Sequence, residues 1–406
     1  MKLPNTLHYM SVEHFPPRFL KEALIAFSFN IGGLLAGFTV ASQLDLFQLS
    51  SWAIAVYPVI LTARGLTSGL VSGRLGTALH VGTILPKFIR NTKSFYILFH
   101  SVIVLTVLTS TLLSLVSMAF GVLFWGLTFM EFADILIVAL ATMLLGLVNS
   151  FFTMGIAFVS FKKALDPDVI VYPVMSTVAD IVITLCYVSI LNLFFLYGAF
   201  GRLTVVVLAV VLVAFSVTLL SRRRNEAEFL RTIKESLLTL LIVAFIVNTT
   251  GTIVKGISGI FSNVRELFVV YPALIDTVGD VGSVVGSTAT TKLTMGLLGP
   301  SFQAIRKHSP RIFTAWTASI VMFVIYSILS LSIQGSFTFS MFLHFSALLL
   351  LANLIAVSSI IVISYGVAIQ TFRRGLDPDN FVIPLESSLA DSITSAALLV
   401  VFFLAT

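Results

Sequence analysis

Long apolar segments separated by short polar loops fill most of the 406 residues of the chain. About 20 apolar residues suffice for a helix to cross the ~30 Å hydrocarbon core of a bilayer. The second and eighth segments are rich in Gly, Ser and Thr, which indicates helices that are broken or closely packed. The pattern predicts an all-α membrane protein with eleven spans, at residues 20–42, 51–80, 94–125, 131–161, 169–199, 203–221, 233–256, 264–297, 310–333, 338–371 and 380–405.

The lysines and arginines are distributed unevenly between the two sides of this arrangement. The N-terminal tail and the loops after the even-numbered segments, with the adjoining segment ends, hold 18 of the 24 basic residues. The opposite side holds Arg202, Lys255 and Arg265. Because cytoplasmic loops are enriched in basic residues, we expect a cytoplasmic N-terminus and an outside C-terminus.

The second half of the sequence repeats the first. Val56-Tyr57-Pro58 recurs as Val270-Tyr271-Pro272, 214 residues later. The predicted organisation is a five-helix repeat at 1–200, a connecting helix at 201–222 and a second five-helix repeat at 223–406. Five spans alone would invert the second copy, but the unpaired connecting helix restores its orientation. We therefore expect parallel repeats related by an axis along the membrane normal.

Composition narrows the classes of function. The chain is 58% hydrophobic and 10% charged, with a mean hydropathy of +1.06, which indicates an integral membrane protein. The net charge of +6 is a signal of membrane topology, so no nucleic-acid partner is expected. There is no phosphate-binding loop for ATP, and Cys186 is the single cysteine, so no disulfide within the chain is expected. We expect a protein that is not an enzyme and that requires no cofactor.

One acidic motif occurs twice, 211 residues apart, each time after a basic pair. Its two copies are Leu165-Asp166-Pro167-Asp168…Pro173…Ala179-Asp180 and Leu376-Asp377-Pro378-Asp379…Pro384…Ala390-Asp391. Asp180 and Asp391 lie about 12 residues into their segments, roughly 18 Å along a helix and near mid-membrane. Ionisable residues at that depth usually face a partner, water or an ion. Asp168 and Asp379 lie at the cytoplasmic start of the same helices, where helix capping is the alternative interpretation.

Further acidic residues occur only in the second half. Asp276 and Asp280 are four residues apart, on one helical face, and Glu386 has Met175 as its first-half counterpart. Carboxylates are hard oxygen ligands that suit Mg²⁺ or Ca²⁺. We predict a metal site drawn from these acids and the aspartates of the repeated motif. The alternatives are a structural hydrogen bond for each mid-membrane aspartate, or ion pairs with Arg64, Arg74 or Lys292.

The doubled motif resembles the MgtE-type divalent-cation transporters, in particular their solute-carrier relatives with two fused membrane domains. The segment Pro58…Arg64-Gly65…Arg74-Leu75-Gly76-Thr77-Ala78 is similar to that family's Pro…Lys-Gly-Asn…Arg-Leu-Ser-Thr-Ala. The resemblance implies magnesium permeation along the pseudo-two-fold axis, with Asp180 and Asp391 as the central ion-coordinating pair. The family's Gly-Asn is Gly65-Leu66 in one half and Gly279-Asp280 in the other, which leaves the identity of the ion open.

The leading functional hypothesis is divalent-cation transport, with Mg²⁺ as the transported ion rather than a cofactor. A close alternative is an exchanger that couples the divalent cation to Na⁺ or H⁺. An intramembrane aspartyl protease is a remote alternative, since Thr277 replaces the first glycine of its Gly-x-Gly-Asp signature at Val278-Gly279-Asp280. A structural or lipid-handling protein, whose acids are all paired, predicts no ion flux. A monomer in the cell membrane suffices for the two-fold pathway, and a homodimer is compatible with it.

Overall fold

The structure is a computed structural model, and it describes residues 17–162, 167–260, 265–294, 298–303, 305, 309–374 and 379–405. Throughout these residues the regular structure is helical, which confirms the predicted all-α class. Short 3₁₀ turns occur at Phe29–Gly32 and Phe129–Glu131, and a π-helical turn occurs at Gly121–Trp125. The helices are α1 (Pro17–Ser28), α2 (Gly33–Ser42), α3 (Leu44–Phe47), α4 (Ala53–Val81), α5 (Lys93–Phe120), α6 (Phe132–Gly146), α7 (Val148–Lys162), α8 (Pro167–Leu196), α9 (Gly198–Arg223), α10 (Ala227–Ile260), α11 (Arg265–Thr294), α12 (Ser309–Gln334), α13 (Phe339–Arg373) and α14 (Asp379–Ala405).

Ten helical stretches within the described residues are long and apolar enough to cross a membrane. The remaining predicted segment, the second, at 51–80, forms α4, whose described side chains include the apolar stretch Ala53–Gly65. The chain is an integral membrane protein.

The helices are broken in the first and fourth predicted segments, and not in the glycine-rich second and eighth segments. The second and eighth segments form the continuous helices α4 and α11, although each contains a proline, Pro58 or Pro272. Neighbouring helices can compensate the backbone group that a proline leaves unpaired in a membrane helix. The first segment is instead broken by the 3₁₀ turn at Phe29–Gly32, and the fourth is divided at Leu147 between α6 and α7. In α11 the glycine at Gly282 permits close approach of Glu386, whereas a Cβ atom at Gly65 of α4 meets nothing within 4 Å.

The chain forms two compact units. One comprises the described residues up to Asn30 together with Leu274 onward, and the other comprises Ile31–Ala273. In the first unit α1 packs on α12, α12 on α13, and α13 on α14. In the second unit α10 packs on α4 and α5, while α8 packs on α4, α6 and α9. The repeat boundaries read from the sequence, at 200 and 223, are therefore not the boundaries of the compact units.

The first helix of each repeat packs on the other repeat. In the sequence alignment α10 corresponds to the α1–α2 segment, and α12 corresponds to α5. The α1 helix contacts α12, and α10 makes the equivalent contact with α5. We call this arrangement helix exchange: the first helix of each repeat packs on a helix of the other repeat. Helix exchange explains why the compact units cross the repeat boundary.

Two glycines allow the helix backbones to approach closely at contacts between the repeats. A Cβ atom built on Gly37 of α2 would overlap the carbonyl oxygen of Val269, and one built on Gly251 of α10 would overlap that of Ala55. Gly37 and Gly251 are 214 residues apart, as are Ala55 and Val269. The two contacts are thus the same contact made once by each repeat. Small residues permit such close backbone approach between membrane helices.

This packing predicts a position-specific effect within α10. We expect Gly251→Ala to destabilise the protein by about 1–3 kcal/mol, because the added methyl group must displace the backbone of α4. Gly256→Ala is the matched control, since a Cβ atom at Gly256 meets nothing within 4 Å. Thermal unfolding of the detergent-solubilised protein measures both. Equal melting temperatures for the two variants would contradict the close approach.

Candidate functional site

The α4 and α8 helices form an antiparallel pair that is fixed by two tyrosines. The hydroxyl group of Tyr57 on α4 lies 3.0 Å from that of Thr184 on α8. The hydroxyl group of Tyr187 donates to the carbonyl oxygen of Ala53 at 2.7 Å. The two tyrosine rings are stacked with their centroids 6.2 Å apart. These contacts set the register that decides which side chains meet further along the two helices.

The same interface brings Arg64 to Asp180. Asp180 lies one turn before Thr184 on α8, and Arg64 lies two turns after Tyr57 on α4, so antiparallel packing places them together. A guanidinium nitrogen of Arg64 donates to Asp180 Oδ1 in a buried ion pair. The side chain of Arg64 is 10% exposed and that of Asp180 is 3% exposed. The first-half aspartate is therefore charge-compensated from within the protein.

An asparagine of the first repeat lies on the face of α11 that carries Asp276 and Asp280. Asn30 Nδ2, in the turn after α1, donates to Asp280 Oδ2 at 2.7 Å and to Thr277 Oγ1 at 3.2 Å. Thr277 Oγ1 lies 2.8 Å from the hydroxyl group of Tyr326 on α12, which donates to the carbonyl oxygen of Phe27 at 3.3 Å. The Tyr326 hydroxyl group has one hydrogen, which it donates to the carbonyl oxygen of Phe27. In the contact between Thr277 and Tyr326 the Thr277 hydroxyl group is therefore the donor. This chain of bonds orients the Asp280 carboxylate.

Glu386 on α14 lies against the glycine face of α11. Its Oε2 accepts a hydrogen bond of 2.7 Å from Ser283 Oγ. Its Oε1 is buried and has no hydrogen-bond partner among the described residues. The side chain rests directly on Gly282, so that a Cβ atom there would overlap the carboxylate. Glu386 is 1% exposed and interacts electrostatically with Asp280 and Asp391.

The other predicted site residues occupy the same two helices or lie beyond the described part of the chain. Asp276 lies one turn before Asp280 on α11 and is partly buried. Asp391 on α14 is also partly buried. Asp168 and Asp379 lie in the first turns of α8 and α14, but their side chains are outside the described residues. Asp166 and Asp377 are wholly outside them, as is the side chain of Arg74.

The carboxylates do not surround a single point. Within the described ranges, no group of three or more His, Cys, Asp or Glu side chains is arranged to hold a metal ion directly. Mg²⁺ commonly keeps several waters and touches only one or two carboxylates. The geometry of α11 and α14 is compatible with a hydrated ion, and the metal-ligand role of these residues stays a prediction.

Sequence reasoning identified the acids of the second half but missed the groups that hold them. Ser283 and Gly282 received no role, although both lie within one helical turn of Asp280. Asn30, an asparagine within an apolar segment, donates to Asp280 on another helix. The spacing of Gly279, Asp280, Gly282 and Ser283, a polar and glycine-rich turn in an apolar helix, was the available signal.

The buried ion pair predicts a stability coupling. Removing one partner of a buried pair leaves an uncompensated charge, which typically costs about 3–5 kcal/mol. We expect Arg64→Met to lower the stability by about that amount, and Arg64→Met with Asp180→Asn to recover most of the loss. Thermal unfolding in detergent tests both variants. A double variant as unstable as Arg64→Met alone would contradict a pairwise interaction.

Comparison with known proteins agrees with the resemblance seen in the sequence. The sequence model of the MgtE family, described as a divalent cation transporter, matches residues 57–190 and 271–401, one segment in each half. Solute carrier family 41 member 2 from Gallus gallus is 25% identical over 174 residues, which are 39% of this chain and 30% of that protein. The match therefore spans less than a third of that relative's length. No solved structure gives a significant match. Because the family match covers well over half of the chain, this protein belongs to the MgtE family, a family of transporters rather than enzymes.

Proposed function

We propose that this protein transports divalent cations across the membrane, with Mg²⁺ as the ion that best fits its carboxylates. The observation that carries the proposal is the set of buried or partly buried acids on α11 and α14 in a chain of this family. Carboxylates inside a membrane protein are costly unless they are paired, face water or bind a cation, so several of them in one region favour a cation pathway. A permeating divalent ion supplies the positive charge that such acids require.

The ligand chemistry favours a hard, hydrated ion. The acids offer oxygen atoms alone, and hard oxygen ligands suit Mg²⁺, Ca²⁺ or Mn²⁺ rather than softer metals. Separated carboxylates, as on α11 and α14, fit an ion that keeps most of its waters. Holding an ion through water gives selection by charge and still permits release, as conduction requires.

The pathway follows from the sequence repeat. Asp180 and Asp391 occupy equivalent positions in the sequence repeat, and we propose each as a pathway residue of its own repeat, with the charge of Asp180 balanced by Arg64. Asp168 and Asp379, at the starts of the same helices, attract cations at its cytoplasmic mouth. Coupling to Na⁺ or H⁺ would require a further cation site, for which Asp276 is a candidate.

Ion flux tests the proposed activity. We expect the purified protein in liposomes that contain a Mg²⁺-sensitive dye to admit Mg²⁺, and Asp391→Asn to lower that flux at least about tenfold, since it removes a charge from the pathway. Asp45→Asn is the matched control, because Asp45 is 91% exposed and only its weak contact with Arg265, at 3.9 Å, is lost. An absence of flux for Mg²⁺, Mn²⁺, Ca²⁺ and Co²⁺ with the unaltered protein would overturn the proposal. Flux that stops without a Na⁺ or pH gradient would identify an exchanger instead.

The proposed membrane orientation has its own test. We expect a cysteine added after Thr406 to react with a membrane-impermeant maleimide applied to intact cells, because the charge distribution places the C-terminus outside. Cys186, which is partly buried, is replaced by serine to remove the background. Reaction only after the cells are opened would contradict the proposed orientation.

A further inference from the structure

The equivalent aspartates of the two repeats, Asp180 and Asp391, differ in the residue that α4 or α11 carries at the position of Arg64. Asp180 is paired with Arg64 on α4. With the 214-residue offset between α4 and α11, the residue equivalent to Arg64 is Val278. An apolar side chain therefore stands in the second half where the first half carries a guanidinium group.

The second half also has additional negative charge where the first has none. Glu386 replaces Met175, and Asp280 replaces Leu66. Among the described side chains, those acting on the Glu386 carboxyl are the hydroxyl group of Ser283 and the carboxylates of Asp280 and Asp391. Like charges within such range, in a medium of low dielectric constant, are relieved by a bound cation or by protonation of one carboxyl group.

Glu386 has the free coordination position that such a cation would use. Its Oε2 is occupied by Ser283 at 2.7 Å, whereas its buried Oε1 has no hydrogen-bond partner among the described residues. A buried acceptor without a partner is destabilising, so one is expected to have an unseen partner such as an ion or water. Asp280 and Asp391 are partly buried beside Glu386.

We infer that the second half alone builds the cation-binding site: Glu386 binds a hydrated divalent cation through Oε1, and Asp280 and Asp391 hold its water shell. Arg64 supplies the corresponding positive charge to Asp180, so the first half binds no ion. This inference rests on the proposed function and makes it more specific, since it gives one ion per chain at a position in the second repeat.

Binding of Mn²⁺ tests the site without relying on transport. Hydrated Mn²⁺ has an electron paramagnetic resonance signal that is lost on binding, so titration of the full-length protein gives stoichiometry and affinity. We expect one tight site per chain. Glu386→Gln should weaken it at least about tenfold, as expected when one member of a buried charge cluster is removed. Two sites of equal affinity, or unaltered binding by Glu386→Gln, would overturn the inference.

Two glycine variants distinguish the effect of the position of the Glu386 side chain from the effect of its charge. Gly282→Ala leaves every charge in place, but its methyl group would displace the end of the flexible Glu386 side chain. We expect it to weaken Mn²⁺ binding by about the factor seen for Glu386→Gln, since ligand placement is lost. Gly279→Ala is the matched control one turn earlier on α11, where a Cβ atom lies 3.8 Å from both Ala390 and Glu386, an ordinary contact. Equal affinity in the two alanine variants would count against a ligand role for Glu386.

A rescue experiment tests the role of Arg64. Asp180→Asn alone leaves an unpaired guanidinium group, which we expect to disturb the fold and repel cations. Adding Arg64→Met should restore Mn²⁺ affinity to within about threefold of the unaltered protein, because the pair only neutralises itself. If Asp180 is instead an ion ligand, the double variant stays as weak as Asp180→Asn.

The outcomes also separate this inference from the proposed function. If the unaltered protein conducts Mg²⁺ but Glu386→Gln and Gly282→Ala bind Mn²⁺ normally, transport stands and the location of the site is wrong. If the unaltered protein binds Mn²⁺ at Glu386 but conducts no divalent cation, the site stands and the transport proposal is wrong.

Discussion

The cost of placing charge in a hydrocarbon environment governs the functional part of this structure. Every acid that enters the membrane-spanning helices must receive a compensating donor or cation from inside the protein. Asp180 receives the guanidinium group of Arg64. Asp280 receives the amide of Asn30, and Glu386 receives one hydroxyl group from Ser283. A guanidinium group compensates a full charge, whereas a neutral donor stabilises a carboxylate only in part. Among these three acids, the charge that is compensated only in part therefore lies on Asp280 and Glu386 of the second repeat.

Helix exchange between the repeats supports this arrangement. The first helix of each repeat packs on the third helix of the other, and the glycine contacts of Gly37 and Gly251 are equivalent. The exchange brings Asn30, which follows α1, to the acidic face of α11. A residue from the first repeat thus orients an acid that only the second repeat possesses.

Sequence could predict the helices because apolar length alone determines them. The segments predicted at 310–333 and 338–371 form α12 (Ser309–Gln334) and α13 (Phe339–Arg373), with ends within two residues. The continuity of α4 and α11 was harder to predict, since glycine and serine indicate equally a break and a close helix contact.

The sequence identified the residues of the proposed site, but it did not predict which side chains contact one another. The intervals of the repeated motif identified Asp180 and Asp391, and comparison of the two halves identified Glu386 as an unmatched acid. The ion pair of Arg64 and Asp180 joins residues 116 positions apart and depends on the rotation and register of two helices. Hydropathy carries no information about rotation, so the pair was one alternative among several. The contact of Glu386 with Gly282 depends on the same geometry in α11 and α14.

The position of the metal is the most direct test of this account. Electron cryo-microscopy of the full-length protein with and without Mn²⁺ would give a difference map at the side chains of both repeats. The account predicts one additional peak beside Glu386 and Asp391, with Arg64 still paired to Asp180. A peak at Asp180 with Arg64 displaced, or equal peaks in the two repeats, would contradict it.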